Sequence, residues 1–470
     1  DISFIDQLPE ELTNVTFSAT LELGGGTSDV TSFFTYDPVT NQLAIDPQAE
    51  LDIIPGTTIT ITINGILSDT IAGDTITNNA ETDWSSLDGD ADGERTGDPL
   101  DPGGALNDYT TDDSVDITVI APQVDKVLVS TSQNDSLNDD TEATIGEIVT
   151  FSITITVPEA SLAGQITDVY GPGFEFIDLV GVTVSDPDAI QFNPEDLTTI
   201  NDPDNNTVGF DFGTLVNTDT DNTTAETITI TYRLRVTDIP DNVDGITLNN
   251  DATLDYDTDG DGTDEASISD NASVDVVEPL LNIDKELLSE TPLVLGGIAT
   301  FQITVQLDPA SGGHAYDVTI EDLLPPYLSE IEGIQIDTSG GSPTIDDNST
   351  DNLLSLEVSE IDPSTVITIT VDARVTTDLA AVGQTTTNVA DAEYSSLDTP
   401  DGGDDSDIER EYDDSDEVTA EIGAVDLFVD KDDGGIDVDN PAAPGDTITY
   451  TINYGNNGTV DATGVVITES

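Results

Sequence analysis

Apolar and polar residues alternate with a period of two through most of this chain, and the alternating runs return in a fixed order. TTITITING (57–65), TITITYRLRV (227–236) and STVITITVDARV (364–375) set Ile or Val against Thr along their length. Strict alternation predicts half-buried strands in antiparallel sheets, one face on a core and one in water. After each run comes Asn-x-Ala-x-x-x-aromatic, at Asn78, Ala80, Trp84, at Asn250, Ala252, Tyr256 and at Asn388, Ala390, Tyr394. Upstream lies an apolar strand carrying Asp-Lys, at Asp125-Lys126, Asp284-Lys285 and Asp430-Lys431. A glycine (Gly146, Gly296, Gly445) then leads into TFSITITV, TFQITVQL or TYTINYG, and the next strand ends in Asp168 or Asp322, with Asp6 in the first copy. Closing strands such as SVDITVIAP (114–122) and ASVDVVEP (272–279) finish the unit.

The lysines give the repeat length, 285 − 126 = 159 and 431 − 285 = 146 residues. Unequal spacing with persistent strands means that the loops vary, as surface loops do. Short strands punctuated by Gly, Pro and Asp, with no helical periodicity, predict an all-β chain of tandem immunoglobulin-like β-sandwiches in a linear array. Two units are complete, 123–279 and 280–423. Residues 1–122 match the C-terminal part of a unit, since DISFIDQLPEEL (1–12) aligns with DVTIEDLLPPYL (317–328). Residues 424–470 match the N-terminal part. Either the chain is a window on a longer array, or the two partial units complete one another between molecules. DISFID and VVITES align to the same strand, so the two parts overlap.

Charge narrows the partners. Eight basic residues stand against 98 acidic ones, a formal net charge of −90. Phosphate backbones and anionic lipid need clustered Lys or Arg, so nucleic acid and anionic membrane surfaces are excluded as partners. No apolar run is long enough to span a bilayer, so direct membrane insertion of this segment is not expected. There is no Cys, which removes disulfides, thiolate catalysis and Cys-ligated metal. No nucleophile–base pair stands out, and an enzyme is not expected.

Two constellations carry chemistry. In the first, Asp88, Asp90, Asp92 and Glu94, and again Asp257, Asp259, Asp261, Asp264 and Glu265, follow Asp-x-Asp-x-Asp-Gly just after the Asn-x-Ala-aromatic strand. Alternate carboxylates in a tight glycine turn converge on a hard cation, so calcium is the expected cofactor. Pro99 and Ile268 stand where an EF-hand needs its Glu, so the loops are not EF-hands. The third copy, from Asp398 to Asp407, keeps the acidity and loses the spacing. A solvated acidic loop of a salt-adapted protein is the alternative. In the second constellation, every lysine of the chain occupies one repeat position. A buried neutral Lys, an Asn carboxamide and a nearby acid can form an intramolecular isopeptide bond. The candidates are Lys126, Asn250 and Asp168, then Lys285, Asn388 and Asp322, and, split between the two partial units, Lys431, Asn78 and Asp6. A simple Lys–Asp ion pair beside an Asn held at a turn is the alternative. His314, in a Gly-Gly-His-Ala loop, reads as a surface residue.

The opening Asp-Lys strand, PGDTITYTINYGNNGTVDATGVVITE (444–469) and NNAETDWSSLDGDADGERTGDP…LNDY (78–109) resemble a bacterial surface repeat family, the conserved fimbrial isopeptide-forming repeat of long secreted or cell-surface proteins. The resemblance covers nearly the whole chain. It implies a structural role outside the cell or at its surface, and in such families the Lys comes from the first strand and the Asn from a late one. The expected function is a component of a filament, stalk or matrix fibre of calcium-stiffened repeats, whose partners are copies of itself or further repeats of the same chain. The alternative is an adhesin segment that binds a glycan or protein. It needs an exposed aromatic platform, and aromatics are 5% of the chain.

Overall fold

In the computed structural model the chain is all-β, and no α-helix occurs among the described residues. Those are all residues except 1, 47–50, 52, 69, 85–108, 134, 220–223, 399–407 and 469–470. Two complete sandwiches occupy the middle of the chain, each a four-stranded sheet packed on a six-stranded one. In the first of them the four-stranded sheet runs, in spatial order, Phe174–Val184, Thr227–Val236, Ile148–Thr156, Gln123–Thr131. The opposing sheet runs Glu142–Ala143, Ala266–Val276, Thr247–Asp257, Ser161–Val169, Thr207–Val216, Thr198–Asp202. The next sandwich repeats this order with Leu328–Ser339, Val366–Val375, Ile298–Leu307 and Leu281–Leu287 in the smaller sheet.

The period-two pattern sets these faces. Along Thr227–Val236 and Val366–Val375, alternate residues are buried without exception: Ile228, Ile230, Tyr232, Leu234 and Val236 in one, Ile367, Ile369, Val371, Ala373 and Val375 in the other. On the other face Thr229 and its cross-strand partner Thr154 share a hydroxyl hydrogen bond. All three glycines of the repeat turn have positive φ, +91° at Gly146, +71° at Gly296 and +105° at Gly445. A side chain there is strained, and at Gly146 a Cβ would also stand 2.4 Å from the Ile408 carbonyl oxygen of the next sandwich.

The first partial unit has a five-stranded sheet (Phe34–Asp37, Gln42–Ile45, Ile2–Gln7, Thr75–Trp84, Thr110–Thr118) and only three strands opposite (Gly26–Asp29, Leu12–Leu23, Thr57–Leu67). Its Asp6 pairs with Ala80, as Asp168 pairs with Ala252, so the two units share one register. At the other end Leu427–Asp432 and Thr451–Asn456 form a two-stranded ribbon. The complete units abut directly. Arg410 reaches back from the later sandwich to Asp238 and Glu278 and donates to the Ile239 and Asn242 carbonyls. His314 lies at this junction and is only 8% exposed, between Glu360 at 2.6 Å and Ser136 at 3.2 Å. The expected surface histidine is thus an interdomain contact, because the preceding sandwich covers its loop.

Candidate crosslink and metal sites

The lysine strand, the strand ending in Asp and the asparagine strand are far apart in sequence, and the sandwich brings them together. Lys126 faces inward from the edge of the smaller sheet, where it pairs with Ile153, and its ammonium contacts Asp168 Oδ2. Both side chains are fully buried. Asn250, also fully buried, donates from Nδ2 to the Tyr232 hydroxyl at 3.0 Å, and that hydroxyl donates to Asp168 Oδ2 at 2.6 Å. In the next sandwich Lys285 pairs with Ile303 and lies 2.5 Å from Asp322 Oδ2. There Asn388 donates directly to the same oxygen at 3.1 Å. Val371 stands opposite Phe301 as Tyr232 stands opposite Phe151, so the hydroxyl bridge belongs to the first of the two sites only. Tyr232 sits in the Thr/Ile run with no polar motif around it, and only the strand pairing reveals its role.

Burial pushes the Lys126 amine down to about 8 and also lowers that of Lys285, against the attraction of the paired carboxylates. It pushes Asp168 and Asp322 up, again against the lysine beside each. Both shifts favour the neutral pair, because charge is costly in an apolar interior and a proton passed from Lys to Asp removes two charges at once. Aromatic rings line the pocket: the Lys126 nitrogen lies 5.6 Å from the Phe151 ring centre and 5.7 Å from that of Tyr232. At both sites the second Asp oxygen and the Asn carbonyl oxygen are buried acceptors without a donor, Oδ1 of Asp168, Asn250, Asp322 and Asn388. An orphaned buried acceptor costs about 1–3 kcal/mol, and a proton on the Asp supplies a donor that this inventory lacks.

The first partial unit repeats half of the arrangement. Asp6 is 6% exposed, hydrogen-bonds Asn78, and is raised by burial. Its Oδ1 and that of Asn78 are likewise without partners. Lys431 lies in the tail ribbon, 4.6 Å from the Tyr450 ring centre, and pairs with Ile452. The structure therefore unites six of the nine candidate crosslink residues into two full sites, and Asp6 with Asn78 into a third that has no lysine among the described residues.

Of the calcium candidates, Asp88, Asp90, Asp92 and Glu94 lie outside the described residues. In the second loop, carboxylate oxygens of Asp257, Asp259 and Glu265 come within 4.8 Å of one another. Asp257 is lowered chiefly by the Gly262 and Gly260 amides, which shape the turn. Asp261 instead accepts from Thr263, and Asp264 stays outside the group, raised by partial burial and by crowding from Asp255, Asp257 and Glu265. The loop lies at a junction, since Ile71 of the preceding unit is 3.0 Å from where a Gly260 Cβ would be. Glu159, Asp219 and Glu226 form a second such group from segments far apart in sequence, so no local motif announces it. Trp84 stacks on Tyr109 at 5.6 Å between ring centres, as Tyr394 stacks on Tyr412 at 5.3 Å. The lone tryptophan therefore belongs to a pairing that the repeat uses elsewhere.

No protein-family model matches the chain, and no curated protein matches it. Solved structures do. The C-terminal domain of the Streptococcus agalactiae antigen I/II polypeptide BspA is 10% identical, with 64% of this chain and 99% of that one covered at a TM-score of 0.34. The full-length major pilin SpaD of Corynebacterium diphtheriae is 14% identical, with 82% of each chain covered and a TM-score of 0.25. The Enterococcus faecalis adhesin ACE is 12% identical, with 63% of this chain and 94% of that one covered and a TM-score of 0.20. Likenesses this distant leave the function to be argued from the residues.

Proposed function

We propose that this chain is a load-bearing segment of an extracellular or cell-surface fibre, built from Ig-like sandwiches locked internally by Lys–Asn isopeptide bonds. The observation that carries the reading is the buried Lys–Asp–Asn cluster, found twice at the same place in the fold with its acceptor oxygens orphaned. Neutral Lys126 Nζ attacks Asn250 Cγ, and the Asp168 carboxyl gives a proton to the developing oxyanion. The N–C bond forms first, giving a tetrahedral intermediate; as it collapses, the oxygen returns that proton to Asp168, the C=O re-forms and the C–Nδ2 bond breaks. The proton lost by the lysine passes through Asp168 to the leaving nitrogen, which departs as ammonia. No oxidant or other reactant is needed. Lys285, Asp322 and Asn388 support the same step. Each bond ties the first strand of a sandwich to a late one, so that tension along the chain meets a covalent strap rather than a ladder of hydrogen bonds. Calcium held by Asp257, Asp259 and Glu265 at a junction would add stiffness between domains.

Intact mass tests the crosslinks. The expected value lies about 34 Da below the sequence mass, about 17 Da of ammonia for each complete sandwich. Asn250→Ala is expected to abolish one of the two losses, and Asp168→Ala the same one. A mass equal to that of the sequence would reduce the lysines to buried ion pairs. Melting in calcium and in excess chelator at matched ionic strength tests the metal, and an unchanged midpoint would leave the acidic loops as solvated surface.

A further inference from the structure

One strand of each complete sandwich touches both partners of the proposed bond. The closing strand, Ala266–Val276 in one unit and Glu411–Gly423 in the other, pairs with the asparagine strand, where Asn250 stands opposite Ala272 and Asn388 opposite Val418. The same strand reaches across to the smaller sheet. Asp270 Oδ2 accepts the backbone N–H of Lys126 at 2.8 Å, and Asp416 Oδ2 accepts that of Lys285, also at 2.8 Å. The two aspartates are equivalent, each opposite the Ala of Asn-x-Ala, Ala252 in one unit and Ala390 in the other. We propose that Asp270 and Asp416 are positioning residues for the crosslink, which fix the backbone of the reactive lysine so that its side chain meets the buried asparagine. The role rests on the crosslinking reaction proposed above.

Strand topology gives this contact its importance. The lysine strand is the outermost strand of the smaller sheet, paired with a neighbour on one side only. Its outward N–H groups therefore take their acceptors from the opposite sheet or from water. In the later sandwich Asp414 Oδ2 also accepts from the Ile283 N–H, at 3.0 Å. The matching residue of the earlier sandwich is Ile268, which packs against the core and has no side-chain acceptor. Among the described residues the contact at the lysine is thus the one that both units share, and capping of the edge in general does not account for that choice. Both carboxylates are half-buried, and a charged acceptor at this distance makes a strong bond that resists sliding of the strand. A slip of one residue would turn the lysine out of the core, because successive side chains of a strand face opposite ways. One strand therefore holds the nucleophile by its backbone and the asparagine by its ladder, which fixes the two relative to each other.

The full chain, made by cell-free synthesis and sampled over time by intact mass, with digests to assign each bond, times the two crosslinks separately. Asp270→Ala is expected to slow the Lys126–Asn250 bond by about tenfold or more and to leave Lys285–Asn388 at its parent rate, since misplacing a reacting group by about 1 Å costs about a hundredfold. Asp416→Ala is expected to do the reverse. Asp270→Asn keeps an acceptor oxygen for the Lys126 N–H and is expected to recover most of the rate. Should Asp270→Ala not fold, Asp270→Val takes its place, a strand former that offers no acceptor. A variant without the acceptor that crosslinks as fast as the parent overturns the positioning role and leaves the crosslink standing, as does an Asp270→Asn chain as slow as that variant. A parent chain that keeps its full mass overturns the crosslink and this role with it.

Discussion

Lys126 and Asn250 are ordinary residues in sequence, and the interior that surrounds them changes what they do. With the bond blocked by Asn250→Ala, Lys126 stays buried with its amine near 8, below its ordinary 10.5. Between those values the unfolded chain holds the proton and the folded one does not, so stability rises with pH across that window, by roughly 3 kcal/mol in all. Asp168 has the opposite sign at lower pH: its raised carboxyl favours the fold in acid, and that contribution is lost as pH climbs through the raised value. Urea midpoints of the variant from pH 7 to about 11 read the lysine arm. The proposed crosslink would close a loop of 250 − 126 = 124 residues. By analogy with a disulfide over such a loop, its loss in Asn250→Ala is expected to cost about 5 kcal/mol, or roughly 15 °C in the melting of that sandwich. Tyr232→Phe is expected to keep the mass loss, because the Lys285–Asp322–Asn388 group has the same arrangement with Val371 in the tyrosine's place, and to lower stability by about 1–2 kcal/mol through the lost hydroxyl.

Strands and turns place these residues. The alternation of TITITYRLRV was legible in sequence because a strand's side chains face opposite ways at every step, and all five inward positions are buried as that periodicity requires. The glycine turn was legible as a turn, but its cause was not. Gly146 is needed for a positive φ and also for the close pass of the Ile408 carbonyl from another sandwich. Gly146→Ala is therefore expected to destabilise by about 2 kcal/mol or more, with the contact between the two complete sandwiches loosened along with the turn. Gly296→Ala, where the nearest atom is a Thr377 methyl at 3.4 Å, is expected to show the φ strain alone. Separate melting transitions for the two sandwiches in the first variant and not in the second are the measurement that tells them apart.

Between the two complete sandwiches polar contacts add to apolar ones such as Leu137 packed on the later core. Arg410 makes four hydrogen bonds into the preceding sandwich, two of them to carboxylates. Arg410→Ala is expected to cost about 2 kcal/mol of junction stability, by the usual worth of charge-assisted hydrogen bonds, and to broaden the distribution of interdomain angles in small-angle scattering. Nothing in the sequence around Arg410 marks it. It stands next to an acidic loop in a chain with few cations, and only the packing of one sandwich on the next gives it four acceptors.

The all-β class, the order of the strands along the chain and the lysine positions followed from the sequence alone, because alternation and repeat spacing are local and each copy repeats the next. Which asparagine faces which lysine was inferable only as a pattern of order along the repeat. That the groups meet in an apolar pocket, with Tyr232 at one site and Val371 at the other, depends on register between strands 81 and 70 residues apart in sequence (Phe151 to Tyr232, Phe301 to Val371). The narrowing of the second acidic loop to Asp257, Asp259 and Glu265, and the burial of His314, were likewise decided in space. A sequence lists donors and acceptors; distance and desolvation, which shift a lysine toward its neutral form, exist only once the sheets have packed.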